Sequence, residues 1–82
     1  MITTVGTFSQ PVSVAVDSNF NVFVAETSAG RVRRVDAVTG AVTSIGTSAD
    51  PPFSGLTNLA VDADDNVWVS DNGNNLVRKI VY

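Results

Sequence analysis

The side chains able to do chemistry fall into three groups. The first is the acidic stretch Asp62-Ala63-Asp64-Asp65-Asn66. Oxygen-rich loops of this kind bind Ca²⁺ when ligands fall at alternate positions, with a glycine for the sharp turn and a distal bidentate glutamate. This stretch has neither the glycine nor the glutamate, and its counterpart Asp17-Ser18-Asn19-Phe20-Asn21 has a single carboxylate. The plainer expectation is a polar hairpin turn, in which Asp and Asn side chains bond nearby backbone amides. The second group is Glu26 and Asp71, each ending an apolar run. They too are expected to bond turn amides. The third group is Arg33, Arg34, Arg78 and Lys79, interleaved with apolar residues. RNA binding would need exposed aromatics for base stacking beside such charges. No aromatic ladder accompanies them, and the net charge of −3 opposes it. A solvated outer strand, charged against edge-to-edge association, is expected instead. Lys79, the one lysine, is expected to point outward into solvent.

No catalytic set emerges. The chain has no histidine and no cysteine. That removes the commonest general base at neutral pH, the commonest transition-metal ligand and every thiolate. A Ser or Thr nucleophile would have to be activated by lysine or a carboxylate. The expectation is a protein without catalytic residues, metal ligands or cofactor.

Eighty-two residues allow one domain, and a lone domain of this size is marginal because it buries a small share of its surface. The remedies are disulfides, a structural metal or oligomerisation. With no cysteine or histidine, oligomerisation is the one left open. Apolar residues are 44% of the chain and valine dominates them, which favours strands. No apolar run approaches the roughly 20 residues that span a membrane. Met1-Ile2-Thr3-Thr4 has neither the basic start nor the apolar centre of a signal peptide. Neither an anionic membrane nor nucleic acid suits the acidic balance, and cellular location is left open.

The chain repeats itself. At a shift of 45 residues, Phe8-Ser9 falls on Phe53-Ser54 and Val14-Ala15-Val16-Asp17 on Leu59-Ala60-Val61-Asp62. Asn21-Val22-Phe23-Val24-Ala25-Glu26 falls on Asn66-Val67-Trp68-Val69-Ser70-Asp71, and Val32-Arg33-Arg34-Val35 on Val77-Arg78-Lys79-Ile80. A second match, Ile2 to Thr7 on Val42 to Thr47, has a shift of 40, and Ser48-Ala49-Asp50-Pro51-Pro52 is the insertion between the two registers. Each unit holds four short apolar runs. In the first unit, a is about Val12 to Val16, b is Val22 to Glu26, c is Arg31 to Val35 and d is Ala41 to Ile45. Runs this short, broken by Gly, Asn and Asp, form an antiparallel meander. Four-stranded units repeating every 40–50 residues mark propeller blades. Val22-Phe23-Val24-Ala25 is apolar on both faces, unlike a strand with one wet face. We therefore expect Val22, Phe23 and Val24, with Val67, Trp68 and Val69, to pack between blades.

Pro11-Val12-Ser13-Val14-Ala15-Val16-Asp17 followed by Asn21-Val22-Phe23-Val24-Ala25-Glu26 resembles the NHL repeat, and Asp71-Asn72-Gly73-Asn74-Asn75 is close to that family's b–c turn. The resemblance implies an all-β fold of propeller blades, most often six to a ring. It also implies that a glycine belongs where this chain has Phe20 and Asp65, a position that wants φ > 0. The family's proline is Leu56 in the second unit, and its b–c turn has become Thr27-Ser28-Ala29-Gly30 in the first. Some six-bladed relatives are metal-dependent lactonases or lyases, others bind RNA, and many present a loop face to a protein or small ligand. Designed symmetric propellers built on this repeat assemble from pieces.

The strand order along the chain reads d, a-b-c-d, a-b-c. Residues 1–7 are expected to form an outer strand, residues 8–47 a first blade and residues 53–82 a second blade lacking its outer strand. We expect Ile2, Thr3, Thr4 and Val5 to pair with Leu76, Val77, Arg78, Lys79 and Ile80 of a neighbouring chain. Such head-to-tail contacts close into rings when the rotation fits. The partner is then the chain itself, most simply as a trimer of six blades. This reading is a self-assembling propeller module, either a piece of a longer natural propeller or an engineered fragment. A binding module is the alternative, with Ser48 to Pro52 helping to build its face. A lactonase-like enzyme is the third.

Overall fold

The computed structural model describes residues 1–81, so Tyr82 lies outside the described residues. Among the described residues seven strands form two sheets. Sheet A holds β1 (Pro11–Val16), β2 (Val22–Glu26), β3 (Arg31–Val35) and β4 (Val42–Ile45), paired in that order. Sheet B holds β5 (Leu56–Val61), β6 (Val67–Asp71) and β7 (Leu76–Ile80), with a 3₁₀ turn at Asn72–Asn74. Every pairing is antiparallel and joins neighbours in sequence. No helix among the described residues is long and apolar enough to cross a membrane.

The b and c runs form as expected, and the a and d runs shift by one residue at their starts. Both first strands carry a register shift at their start, at Pro11/Ser13 and at Leu56/Asn58. Ile2 to Val5 forms no strand within the chain. A segment becomes a strand only by pairing, and among the described residues no strand pairs with it.

Alternation along each strand sorts the side chains into faces. Registers Ala15↔Phe23, Ala25↔Val32 and Val32↔Ile45 put these residues on one face of sheet A. That face packs against Leu59, Val67, Val69 and Ile80 of sheet B, forming one apolar core. Val14, Val16, Val22, Val24 and Val35 share the opposite face of sheet A. Phe23 and Val24 are both buried, although they point to opposite sides of β2. Burying a side chain of this size contributes about 1.5–3 kcal/mol, so the doubly apolar β2 is a main source of stability.

Polar bridges tie the sheets together. The Ser13 hydroxyl donates to Asn58 Oδ1 at 3.1 Å and accepts from the Leu59 amide at 3.1 Å. At one end, the Ser18 amide donates to Asp65 Oδ1 at 3.0 Å, and the Ser18 hydroxyl bonds the other oxygen.

The repeat extends to the backbone. Phe20 and Asp65 both have positive φ, at 65° and 63°. The a–b turn thus needs the left-handed region that the resemblance implied. Two further pairs sit 45 residues apart in the same region: Gln10 with Gly55 (47° and 62°) and Gly30 with Asn75 (63° and 56°). A residue with a Cβ costs roughly 1–2 kcal/mol there. Gly55 is also crowded, because a Cβ would lie 3.2 Å from the Gly73 nitrogen. We predict opposite effects for reciprocal exchanges. Gln10→Gly should stabilise the chain by about 0.5–1 kcal/mol, since glycine's greater freedom when unfolded offsets part of the relief. Gly55→Gln should destabilise it by at least about 1 kcal/mol. Urea midpoints at equal protein concentration check this, and shifts of the same sign would refute it.

Candidate functional site

Glu26 and Asp71 end β2 and β6 at equivalent positions, and both are buried. Glu26 accepts from the Ser9 amide at 2.7 Å and from Arg31 Nε at 2.5 Å, with Arg33 NH1 at 3.5 Å. Asp71 accepts from the Ser54 amide at 2.8 Å, Asn74 Nδ2 at 2.9 Å and Arg78 NH1 at 3.1 Å. Each carboxylate therefore fastens the segment leading into its blade to an arginine of the third strand. The bond from Arg31 chiefly holds the Glu26 carboxyl below its ordinary range, against the opposing effect of burial. For Asp71 burial is the largest influence and pushes upward, but the bonds from Asn74, Ser54 and Arg78 together outweigh it and leave the carboxyl low. The amide each accepts from is that of Ser9 or Ser54, in the segment before the blade, rather than one in the turn that follows. The guanidinium partners were not foreseen, and the equivalence of Arg33 with Arg78 is the signal that could have found them.

These arginines correct one expectation. Arg33, Arg34 and Arg78 do not form a solvated outer strand: their side chains are only 21%, 24% and 17% exposed. β3 lies inside its sheet and β7 at the edge of its own, and beside both a buried carboxylate of the adjoining strand draws a guanidinium inward. Arg34 reaches Asp36 at 3.5 Å. Lys79 is exposed, as expected, and its ammonium lies 5.5 Å from the centre of the Trp68 ring.

The acidic turns are hairpin turns. Asp17 Oδ1 accepts from the amides of Asn19 and Asn21, both at 2.9 Å. Asp62 Oδ1 accepts from those of Asp64 and Asn66 at 2.9 and 3.0 Å, and its Oδ2 takes the Trp68 Nε1 proton at 2.9 Å. Among the described residues no three acidic side chains converge. The Ser48–Pro52 insertion is fastened down rather than held out. Its Pro51 carbonyl accepts from Arg78 and its Pro52 carbonyl from Asn74 Nδ2 at 2.9 Å.

Two apolar faces remain open, and each sheet ends at either side on a strand with one unpaired edge, β1 and β4 in sheet A and β5 and β7 in sheet B, among the described residues. Trp68, 40% exposed, stands with Ala60, Ser70 and Val77 on the face of sheet B turned away from sheet A, and Asn58 joins them at the rim. These residues line a shallow groove. Beside it Leu76 to Ile80 pairs only with β6, leaving the other edge of β7 without a ladder among the described residues. On the far side of sheet A, Val5, Phe20, Val22 and Val35 line a second groove. Of the expected blade-packing residues, Phe23, Val24, Val67 and Val69 are buried, Val22 is partly buried and Trp68 is half open. Ile2 to Val5 and Leu76 to Ile80 are not brought together within the chain. Val5 nevertheless lines a groove with Val22 and Val35, and their counterparts in the repeat, Ile45, Val67 and Ile80, share the core.

Antiparallel meanders stacked face to face are the arrangement of adjacent β-propeller blades. Residues 53–80 match the NHL repeat, so the second sheet carries that repeat. No curated protein sequence matches the chain. Among solved structures, selenomethionine-substituted virginiamycin B lyase from Staphylococcus aureus is similar with a TM-score of 0.65 at 14% identity. The similarity covers 84% of this chain but 26% of the lyase. At that identity it shows the fold alone.

Carboxylates held low in the folded state stabilise it above their unfolded pKa, and that stability is lost as pH falls through the folded value. We therefore expect stability to be flat above about pH 5 and to fall steadily below about pH 4. Asp71→Asn should cost about 2 kcal/mol at neutral pH and flatten the acid limb. Urea titrations at several pH values test this, and an unchanged acid limb in the variant would count against it.

Proposed function

We propose that this chain is a β-propeller module that works by assembling with copies of itself into a closed ring, without catalysis of its own. One observation carries the reading: the Trp68 face and the free edge of β7 lie together. A flat open edge beside an apolar face invites another strand and another sheet. Face and edge of one copy would receive the Val5–Val22 side of the next. Ile2 to Val5 would then add as the outer strand of the preceding chain's second blade. Three copies would bring about six blades, within the roughly four to eight that close a propeller.

The absence of histidine and cysteine supports the non-catalytic part. So do the buried carboxylates, which are engaged by amides and guanidinium groups rather than aimed at a cleft. Blade faces would become subunit interfaces, which in obligate assemblies resemble a core cut in half.

The expected result is a solution mass of about three chains, by native mass spectrometry or by light scattering after size exclusion. Trp68→Ala should shift that mass towards the single chain. A wild-type chain that stays monomeric and fully folded would end this reading.

A further inference from the structure

The repeat allows the internal junction between sheets to be compared, position by position, with the junction that the two open faces would make. Inside the chain, the Ser18 turn meets the Asp65 turn through the hydrogen bonds described above. At the shift of 45 residues, Ser18 corresponds to Ala63 and Asp65 to Phe20. An outer junction would therefore set Ala63 against Phe20 of the next copy. A polar pair inside is replaced by an apolar pair outside, with both members changed together. Phe20 stands at the rim of the open groove of sheet A. It occupies a left-handed backbone position at φ 65°, costly for a bulky residue, and is 76% exposed.

The packing beneath shows the same reciprocity. Phe23 inside corresponds to the larger Trp68 outside. Two of the residues that would face Trp68 are one methylene smaller than their counterparts against sheet A's core face, Val14 for Leu59 and Val35 for Ile80, while Val22 and Val24 match Val67 and Val69. Val5 for Ile45, completing the blade beside the indole, is smaller in the same way. A larger ring set against smaller aliphatic residues keeps the total volume, the kind of exchange that packed cores tolerate best. Val14 is 65% exposed and has room to receive the indole.

Resting on the assembly reading above, we propose that the second copy is recognised by this size-and-polarity exchange: Phe20 of one copy seats on Ala63 of the next, and Val14 beneath Trp68. A foreign blade, or the chain's own first junction, would present the wrong partner at these places. The exchange therefore specifies the order of blades around the ring, first unit always against second.

The test is association of the 82-residue chain, followed by sedimentation across a concentration series, with circular dichroism to confirm folding. Phe20→Asp and Ala63→Ser each place at the outer junction a residue already accommodated at the inner one, so the fold should survive both. Each alone should weaken association, Phe20→Asp by about tenfold. Together they rebuild the internal Ser–Asp pair and should return association to within about threefold of wild type. In parallel, Val14→Leu should weaken association when Trp68 is present and strengthen it when Trp68→Phe is present. Losses that simply add, in both cycles, would overturn the pairing while leaving assembly standing. A wild-type chain that never associates would overturn assembly and this pairing with it.

Discussion

A strand that is apolar on both faces has to lie between two layers. β2 is such a strand, and the rest of the chain is arranged around that requirement. Its Phe23 side is covered by sheet B. On its Val24 side, Val5 lies in the groove with Val22 and Val35. β6 meets the same requirement on one side only, since Val67 and Val69 are buried while Trp68 is left half open. The hydrophobic contribution of such a face is of the order of 25 cal/mol for each Å² covered. For a chain this small, one more layer is a large fraction of its stability.

Two kinds of fixing hold the layers in register. Buried carboxylates act within each blade, joining its leading segment to its third strand. Serine and aspartate act between blades, at the a–b turns. The first kind depends on charge and should weaken together in acid, because Glu26 and Asp71 are held low by similar partners. The second kind is nearer the solvent and contributes alignment more than energy, as exposed polar contacts generally do.

The architecture was legible because the period is long and the matches fall in register. Strand limits and the two-faced character of β2 followed from residue type and spacing, and the left-handed turn at Phe20 and Asp65 from the resemblance to the NHL repeat. The arginines were misread because alternation along a strand cannot say which face a neighbouring sheet will cover. Arg33 and Arg78 look like surface charges until Glu26 and Asp71 are placed on the adjoining strand. The junction between turns was equally hidden. Ser18 and Asp65 are 47 residues apart, and nothing local to either announces the other.

The sequential pairing of every strand has a kinetic consequence. Each ladder joins runs separated by a short turn, so the entropy lost in closing it is small. Meander formation can therefore run ahead of everything else. Bridges between the sheets close loops of 45 to 47 residues and should come later. We expect the first sheet to be able to order as soon as β4 is made, giving the second a template on which to condense. The Trp68 side of β6 stays half open after both meanders have formed, so the order of events leaves an apolar face in water at the end of folding, when a crowded solution of like chains would meet it.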